Sequence, residues 1–594
     1  MLFPTPLVEK YYDEKYTLKN FRSDYDPMAF LEAYGNNNVD VTLHRDAMLK
    51  KEEYYITVSS EGINIRYSTD EGLFRAATSV GQLALKQNGK LKYAEIHDMP
   101  DFENRGYMLD ISRGKVPKLH IIKKLIDNLS LLKYNEFQLY MESFVYKYKS
   151  FPALTADFDC LTPEDIEELD RYCKERYIDL VPNQNSLGHM RMFLERDEFK
   201  SLKVGAAGDY PSSTVNPLLP ESFEFITTLY RDLLPHFSSG KVNIGLDEAW
   251  ELNKYELEEP ARERGADKIF TDWLTKLSDH IEKNYGKTVQ FWADMVYKYP
   301  NAYKYMPKNA TALVWGYDVI NTTCFEGVCA PVAERGIDFY ICPGDGTWEC
   351  GTCRFDMMAL NVRKAADVGK KYGAKGYLLT AWGNTGTVSF PIWGVIPYTL
   401  AALYAWRAGE FSDWNPKIAN IQLAKNYADE FIFRAPLSDH LHKLSRYYLL
   451  EPFPTHNETV AMRSLKNGVC DNFFFADFSI TAMSDPTFYA NASEYMSRTF
   501  AAMKNMNIDS KTMAEIECNV NTVILGEELN ELRFDSNVTK EKLDHLISLA
   551  DIIITEFKRL WLIDNHEHGV EIFTGTILKR RAELETLRTE RFGS

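Results

Sequence analysis

Two acids stand side by side in the run Asn243-Ile244-Gly245-Leu246-Asp247-Glu248-Ala249-Trp250. They close a short apolar stretch of β type. Adjacent carboxylates at a strand end are costly to bury unless each has a task. The plain alternative is a solvated acidic turn or a helix N-cap. As a reacting pair, one acid would hold a proton for a leaving group and the other would stay ionised against developing positive charge. Other apolar runs end in similar residues. They give Tyr140-Met141-Glu142, Asn183 through His189, Trp292-Ala293-Asp294, Trp315-Gly316-Tyr317-Asp318, Asp345 through Glu349 with Trp348, and Trp382-Gly383-Asn384. Indoles stack on the C–H faces of sugar rings, while carboxylates and amides bond hydroxyls. If these ends share one face, they line a cup suited to a sugar.

The elements that would gather them follow a repeat. Eight strand-like runs alternate with helical patterns between residues 103 and 410: Arg105–Ile111, Glu136–Glu142, Ile178–Pro182, Lys241–Asp247, Val289–Asp294, Ala312–Trp315, Asp338–Cys342 and Gly376–Ala381. Leu119, Ile122, Leu125, Ile126 and Leu129 share one helical face, and Thr162-Pro163-Glu164-Asp165 reads as a capped helix start. Eight such units predict a closed (β/α)8 TIM barrel, an α/β fold whose site lies at the C-terminal strand ends. A doubly wound sheet is the rival. It uses fewer strands, often with a Gly-rich phosphate turn, and no GxGxxG or P-loop occurs here.

Residues 1–102 read as a small α+β domain. Strand runs at 54–58 and 63–67 flank Glu61-Gly62, a helix follows from Glu71 to Gln87, and Leu91–His97 forms another strand. Residues 411–594 read as an all-helical domain, with apolar stripes at Met513, Ile516, Val520, Val523 and Ile524 and again from Leu543 to Leu560. Such a domain could serve as the surface of a homodimer.

Composition narrows the function. A net charge of −17 repels phosphate backbones and anionic membranes, so neither nucleic acid nor membrane is an expected partner. No apolar stretch reaches membrane-spanning length, and the opening MLFPTPLVEK carries no secretory signal pattern. Nine cysteines, an odd number, suggest reduced thiols and a cytoplasmic protein. Cys324, Cys329, Cys342, Cys350 and Cys353 cluster, but one CxxC without a second pair makes loop thiols the better reading than a zinc site. The expectation is no metal and no cofactor.

The order of these segments resembles family 20 glycoside hydrolases, the β-N-acetylhexosaminidases. Asp98-Met-Pro-Asp-Phe-Glu-Asn-Arg-Gly-Tyr-Met-Leu-Asp-Ile-Ser-Arg113 resembles that family's entry into its barrel. Leu187-Gly188-His189 is similar to its Pro-Gly-His, Gly245-Leu246-Asp247-Glu248 to its Gly-Gly-Asp-Glu, and Trp382-Gly383-Asn384 to its Trp-Gly-Glu. The resemblance covers about residues 1–410, and the branch with a helical C-terminal domain is nearest. It implies an exo-acting enzyme that removes terminal β-linked GlcNAc or GalNAc from an oligosaccharide or glycoconjugate. The substrate's 2-acetamido carbonyl is then the nucleophile. By the same resemblance Glu248 is the acid and base, and Asp247 holds the acetamido group. Arg105 bonds the C3 and C4 hydroxyls, His189 supports the acid, Trp292, Trp315 and Trp382 wall the sugar, and Trp348 is a substrate-binding candidate in the region of the family's acetamido tyrosine. Asn384 stands where a carboxylate is usual, which would alter hydroxyl recognition. Glu142 is assigned beside His189, and the tyrosine for the acetamido oxygen is not placed. Two alternatives stay open: a barrel glycosidase with a protein nucleophile about 5 Å from Glu248, drawn from Asp318, Asp345 or Glu349, and a sugar-binding protein with an inactive barrel.

Overall fold

The structure is a computed structural model that describes every residue except 157, 318–322, 385, 409–415, 469–484, 536 and 594. Five strands open the chain: β1 (Val8–Thr17), β2 (Val41–Arg45), β3 (Tyr54–Ser59), β4 (Gly62–Tyr67) and β5 (Lys90–Asp98). They form one sheet in the order β1-β5-β3-β4-β2. β3 and β4 make the expected hairpin, in register from Tyr54 opposite Tyr67 to Ser59 opposite Gly62. Alternating Tyr54, Ile56 and Val58 point into a core shared with the helix Asp70–Lys86. Thr69 caps that helix by accepting the Gly72 N–H, and Asp70 and Glu71 complement its dipole. Sequence patterning missed β1 and β2, because β1 is a largely exposed edge strand with no clean alternation.

The eight expected runs form a closed parallel barrel: β6 (Asn104–Asp110), β7 (Glu136–Met141), β8 (Asp179–Gln184), β9 (Lys241–Asn243), β10 (Thr288–Trp292), β11 (Ala310–Trp315), β12 (Phe339–Cys342) and β13 (Gly376–Ala381). β13 pairs with β6 and shuts the sheet. β7 and β13 are buried at every position, as strands covered on both faces must be. Met108, Tyr140, Trp292, Leu313, Tyr340 and Leu378 fill the barrel interior. The fourth barrel strand is shorter than its sequence suggests. The Asn243 side chain accepts the Gly245 N–H at 2.9 Å, and the backbone turns left-handed at Gly245 and Leu246, so the bonds to β10 stop where the Trp292 N–H donates to the Gly245 carbonyl.

Beyond the barrel the chain is helical among its described residues, with the long helices Ser510–Phe534, Lys540–Asp564 and Val570–Phe592. Ile516, Val520, Val523, Leu543, Leu546, Ile553, Phe557 and Leu560 are buried in the same apolar core as the barrel's outer helices. Asn519 Oδ1 accepts the Trp393 indole N–H at 2.8 Å and the Phe390 N–H at 3.2 Å, tying the helical segment to the loop after β13. The expected boundary at 410/411 lies outside the described residues. No described helix is long and apolar enough to cross a membrane.

Candidate active site

The site grows from the chain leaving β9. Gly245, Leu246 and Glu248 have φ of 73°, 76° and 50°. Left-handed backbone at Leu and Glu is costly and persists only where the surroundings hold it. Asn185 supplies part of that hold: its Oδ1 accepts the Leu246 N–H at 3.1 Å and its Nδ2 donates to Asp247 Oδ1 at 2.8 Å. Gly188 is required for a different reason. A Cβ there would collide with the carbonyl oxygen of Asp247, so the turn before His189 can approach the acids only as glycine.

His189 joins the acids. Its Nε2 lies 3.1 Å from Glu248 Oε2 and 3.3 Å from Asp247 Oδ2, and its Nδ1 is 3.6 Å from Glu142 Oε2. Burial disfavours charge on the ring, but the Asp247, Glu248 and Glu142 carboxylates outweigh it and hold the imidazole well above its ordinary value. Burial also opposes charge on Asp247, yet His189 and Asn185 keep its carboxyl below the usual range. Glu248 is 37% exposed and reaches into the cavity. Asp294, at the end of β10, accepts the Glu248 backbone N–H at 2.9 Å. Burial, with Asp247 and Glu248 nearby, pushes the Asp294 carboxyl up to about 7.

A pocket of about 180 Å³ opens over this group, lined by Arg113, His189, Asp247, Glu248, Trp292, Trp315, Tyr317, Trp348, Trp382, Asn384 and Asn457. The four tryptophans named from sequence all reach it. Trp292 is also fully buried in the barrel interior, so wall and core are here one side chain. Tyr317 stacks on Trp315 with ring centres 5.1 Å apart, and its oxygen accepts the Trp382 indole N–H at 2.7 Å. Sequence reasoning did not give Tyr317 a role. It follows β11 by two residues, so position at a strand end was its signal.

Arg105 must be corrected. It is the second residue of β6, at the N-terminal end of the barrel, whereas the pocket is at the other end, roughly 17 Å away along the strand. Its guanidinium is buried, donates to Glu52 Oε2 at 2.9 Å and to the Phe102 and Lys133 carbonyls, and lies over Trp406. It clamps the small sheet domain to the barrel floor. The arginine in the pocket is Arg113, just past β6. It donates to Asp110 Oδ2 at 2.6 Å and to Glu142 Oε2 at 3.1 Å, and its guanidinium sits beside the Tyr140 and Trp382 rings. Glu142 thus connects Arg113 with His189, and Tyr140 Oη donates to it at 2.6 Å.

The candidates for a protein nucleophile fare differently. Asp318 lies outside the described residues. Asp345 is buried, accepts from Thr347, and lines a separate cavity. Glu349 is ion-paired with Lys466 at 2.8 Å. Among the described residues lining the sugar-sized pocket, Asp247 and Glu248 are the only carboxylates. The CxxC thiols are buried and donate to backbone oxygens, Cys350 to Gly346 at 3.3 Å and Cys353 to Asp345 at 3.5 Å.

Comparison with known proteins agrees with this arrangement. The catalytic-domain model of glycosyl hydrolase family 20 matches residues 102–348, and that family's domain 2 matches residues 13–99. A beta-hexosaminidase of Vibrio furnissii is 26% identical over 36% of this chain and 40% of its own length. A beta-hexosaminidase of Akkermansia muciniphila is 26% identical over 41% of this chain and 56% of its own. The chain thus matches about half the length of these relatives. Two solved structures share the fold. A beta-N-acetylhexosaminidase from Bacteroides fragilis has TM-score 0.60 at 19% identity, covering 73% of this chain and 96% of that one. A chitobiase from Flavobacterium johnsoniae has TM-score 0.59 at 16% identity, covering 97% and 99%. Two models of one family, end to end over more than half of the residues, on a barrel with paired acids at its fourth strand, lead to one conclusion: the chain belongs to glycosyl hydrolase family 20.

Proposed function

We propose that the protein is an exo-β-N-acetylhexosaminidase that removes terminal β-linked GlcNAc or GalNAc by substrate-assisted, retaining hydrolysis. The observation that carries this reading is the Asp247–His189–Glu248 group beneath a small aromatic pocket that offers no other described carboxylate. With no further carboxylate among the described residues lining the pocket, the acetamido carbonyl oxygen attacks C1 as Glu248 gives its proton to the leaving oxygen and the C1–O bond breaks. Asp247, kept ionised by His189, accepts the acetamido N–H and balances the charge of the cyclic intermediate. Tyr317, whose oxygen already accepts from Trp382, turns its O–H to the acetamido oxygen. Water then attacks C1 and gives a proton to Glu248, while the C1–O bond to the acetamido oxygen breaks and the acetamide is restored. Arg113, Asn384 and the tryptophans hold the ring.

A panel of 4-nitrophenyl β-glycosides tests the assignment. Turnover of GlcNAc or GalNAc glycosides with none of glucose or galactose is expected. A thiazoline analogue of GlcNAc should bind about a hundredfold or more tighter than GlcNAc itself. Trapping of a protein carboxylate by a 2-fluoro glycoside would overturn the reading. Buried thiols that bond backbone oxygens suit a cytoplasmic protein, and Ile552, Leu578 and Phe592, exposed on the last two helices, suit a homodimer face that sedimentation can check.

A further inference from the structure

Asn457 does not belong to the barrel. It sits in the helical segment, between the short helical turn Tyr447–Leu449 and the helix Val460–Asn467, outside both stretches that match the family. Yet it lines the same pocket as Trp348 and Asn384, and its Nδ2 lies 3.2 Å from His456 Nε2.

The loop that carries it is built onto the chain that follows β12. The Thr459 N–H donates to the Glu349 carbonyl at 3.0 Å. Tyr447 Oη donates to the Cys350 carbonyl at 2.6 Å and lies 2.9 Å from Thr459 Oγ1. Lys466 bridges Glu349 and Glu458, each at 2.8 Å. Glu451 Oε1 accepts the Ala461 N–H at 3.0 Å and pins the other side of the loop. The residues held this way, Glu349 and Cys350, directly follow the pocket wall Trp348, so loop and wall are positioned together.

Asn457 has φ of 57°. Asparagine accepts left-handed backbone better than most residues, and its amide offers a donor and an acceptor on one planar head. Such a head can meet a hydroxyl in both senses at once without adding charge to a pocket already holding Asp247 and Glu248.

We infer that Asn457 is a substrate-binding residue. Its carboxamide hydrogen-bonds a ring or exocyclic hydroxyl of the terminal N-acetylhexosamine, so the helical segment completes the sugar site in cis. The inference rests on the function proposed above and deepens it.

The left-handed backbone supplies a clean test. Asn457→Gly keeps the allowed conformation and deletes the amide together with its contact to His456, whereas alanine would add strain. Asn457→Asp keeps the shape and an acceptor. With the GlcNAc aryl glycoside, Asn457→Gly should lose about three- to tenfold in kcat/KM, the range of one neutral hydrogen bond, mainly through KM and with an unchanged thermal midpoint. Asn457→Asp should recover part of the loss. On 3-, 4- and 6-deoxy glycosides, the deficit should vanish for the sugar lacking the partner hydroxyl. Wild-type behaviour of Asn457→Gly on the parent glycoside, or an equal deficit on all three deoxy sugars, would overturn the inference. Calorimetric binding of free N-acetylglucosamine gives the same comparison without turnover. A wild-type protein that binds the sugar through Asn457 but hydrolyses nothing would defeat the proposed activity and leave this inference standing.

Discussion

The backbone N–H of Glu248 donates to Asp294 Oδ2 at 2.9 Å, so the residue assigned as the acid is held at its main chain by a third carboxyl, two residues past the end of the next strand. Asp294 also accepts the Trp315 indole N–H at 3.3 Å. One side chain thus fixes both the acid's left-handed backbone and a pocket wall. Asp294→Asn can offer only one oxygen for two donors. It should lower kcat by about tenfold, equivalent to about 1.4 kcal/mol, with little change in KM. Steady-state kinetics on an aryl glycoside decides it, and an unchanged kcat would show the bond to be incidental.

Glu248→Gln should lose about 10²–10⁴-fold in turnover of substrates with poor leaving groups, because general acid help is gone. An activated aryl leaving group needs less protonation and should suffer less. Asp247→Asn should lose about 10²–10³-fold on both substrate types, since the acetamido anchor and the counter-charge act whatever the leaving group. A leaving-group series on each variant separates the roles. Identical dependence in the two variants would refute the division of labour.

Arg113 and Arg105 should part company. Arg113→Ala should raise KM and cut kcat/KM by about tenfold or more, leaving Asp110 without its cation and Glu142 with His189 alone. Arg105→Met leaves Glu52 buried beside Arg75 alone, at the far end of the barrel. It should cost about 3 kcal/mol of stability while the remaining folded enzyme keeps its KM. Thermal melts paired with kinetics test this. A KM defect in Arg105→Met that is absent from Arg113→Ala would reverse the assignment.

Glu451 and Glu527 form a buried carboxyl pair behind the loop that carries Asn457. Burial pushes Glu451 up to about 7, and burial together with Glu451 holds Glu527 well above the usual range. Among the described residues, Arg354, Tyr447 and Tyr489 are ionisable groups that act on the pair or feel its charge. A raised folded value means that protonation favours the native state. That stability is present below the ordinary value near 4.5 and is lost as pH rises through about 7. The melting temperature should therefore fall between pH 5 and 8. Glu527→Gln should flatten the fall and raise the midpoint at pH 8 by about 2 °C. A variant that melts with the wild-type pH profile would rule the pair out as its source.

Much of this protein is settled by sequence alone. Eight apolar runs at barrel spacing determine the fold class, because strands buried on both faces must be continuously apolar. The Asp247-Glu248 pair at a strand end, with tryptophans at the ends of others, marks the site, because a barrel gathers its C-terminal strand ends on one face. What sequence could not decide is which end of an element a long side chain serves. Arg105 and Arg113 lie eight residues apart on one stretch of chain, and only the strand's direction sends one to the floor and the other to the pocket. Nor could sequence reveal Asn457. It is 209 positions beyond Glu248 by residue number, in a segment without barrel periodicity. It enters the pocket only because the helical segment packs on the barrel through a shared apolar core and fastens its loop to the chain after β12.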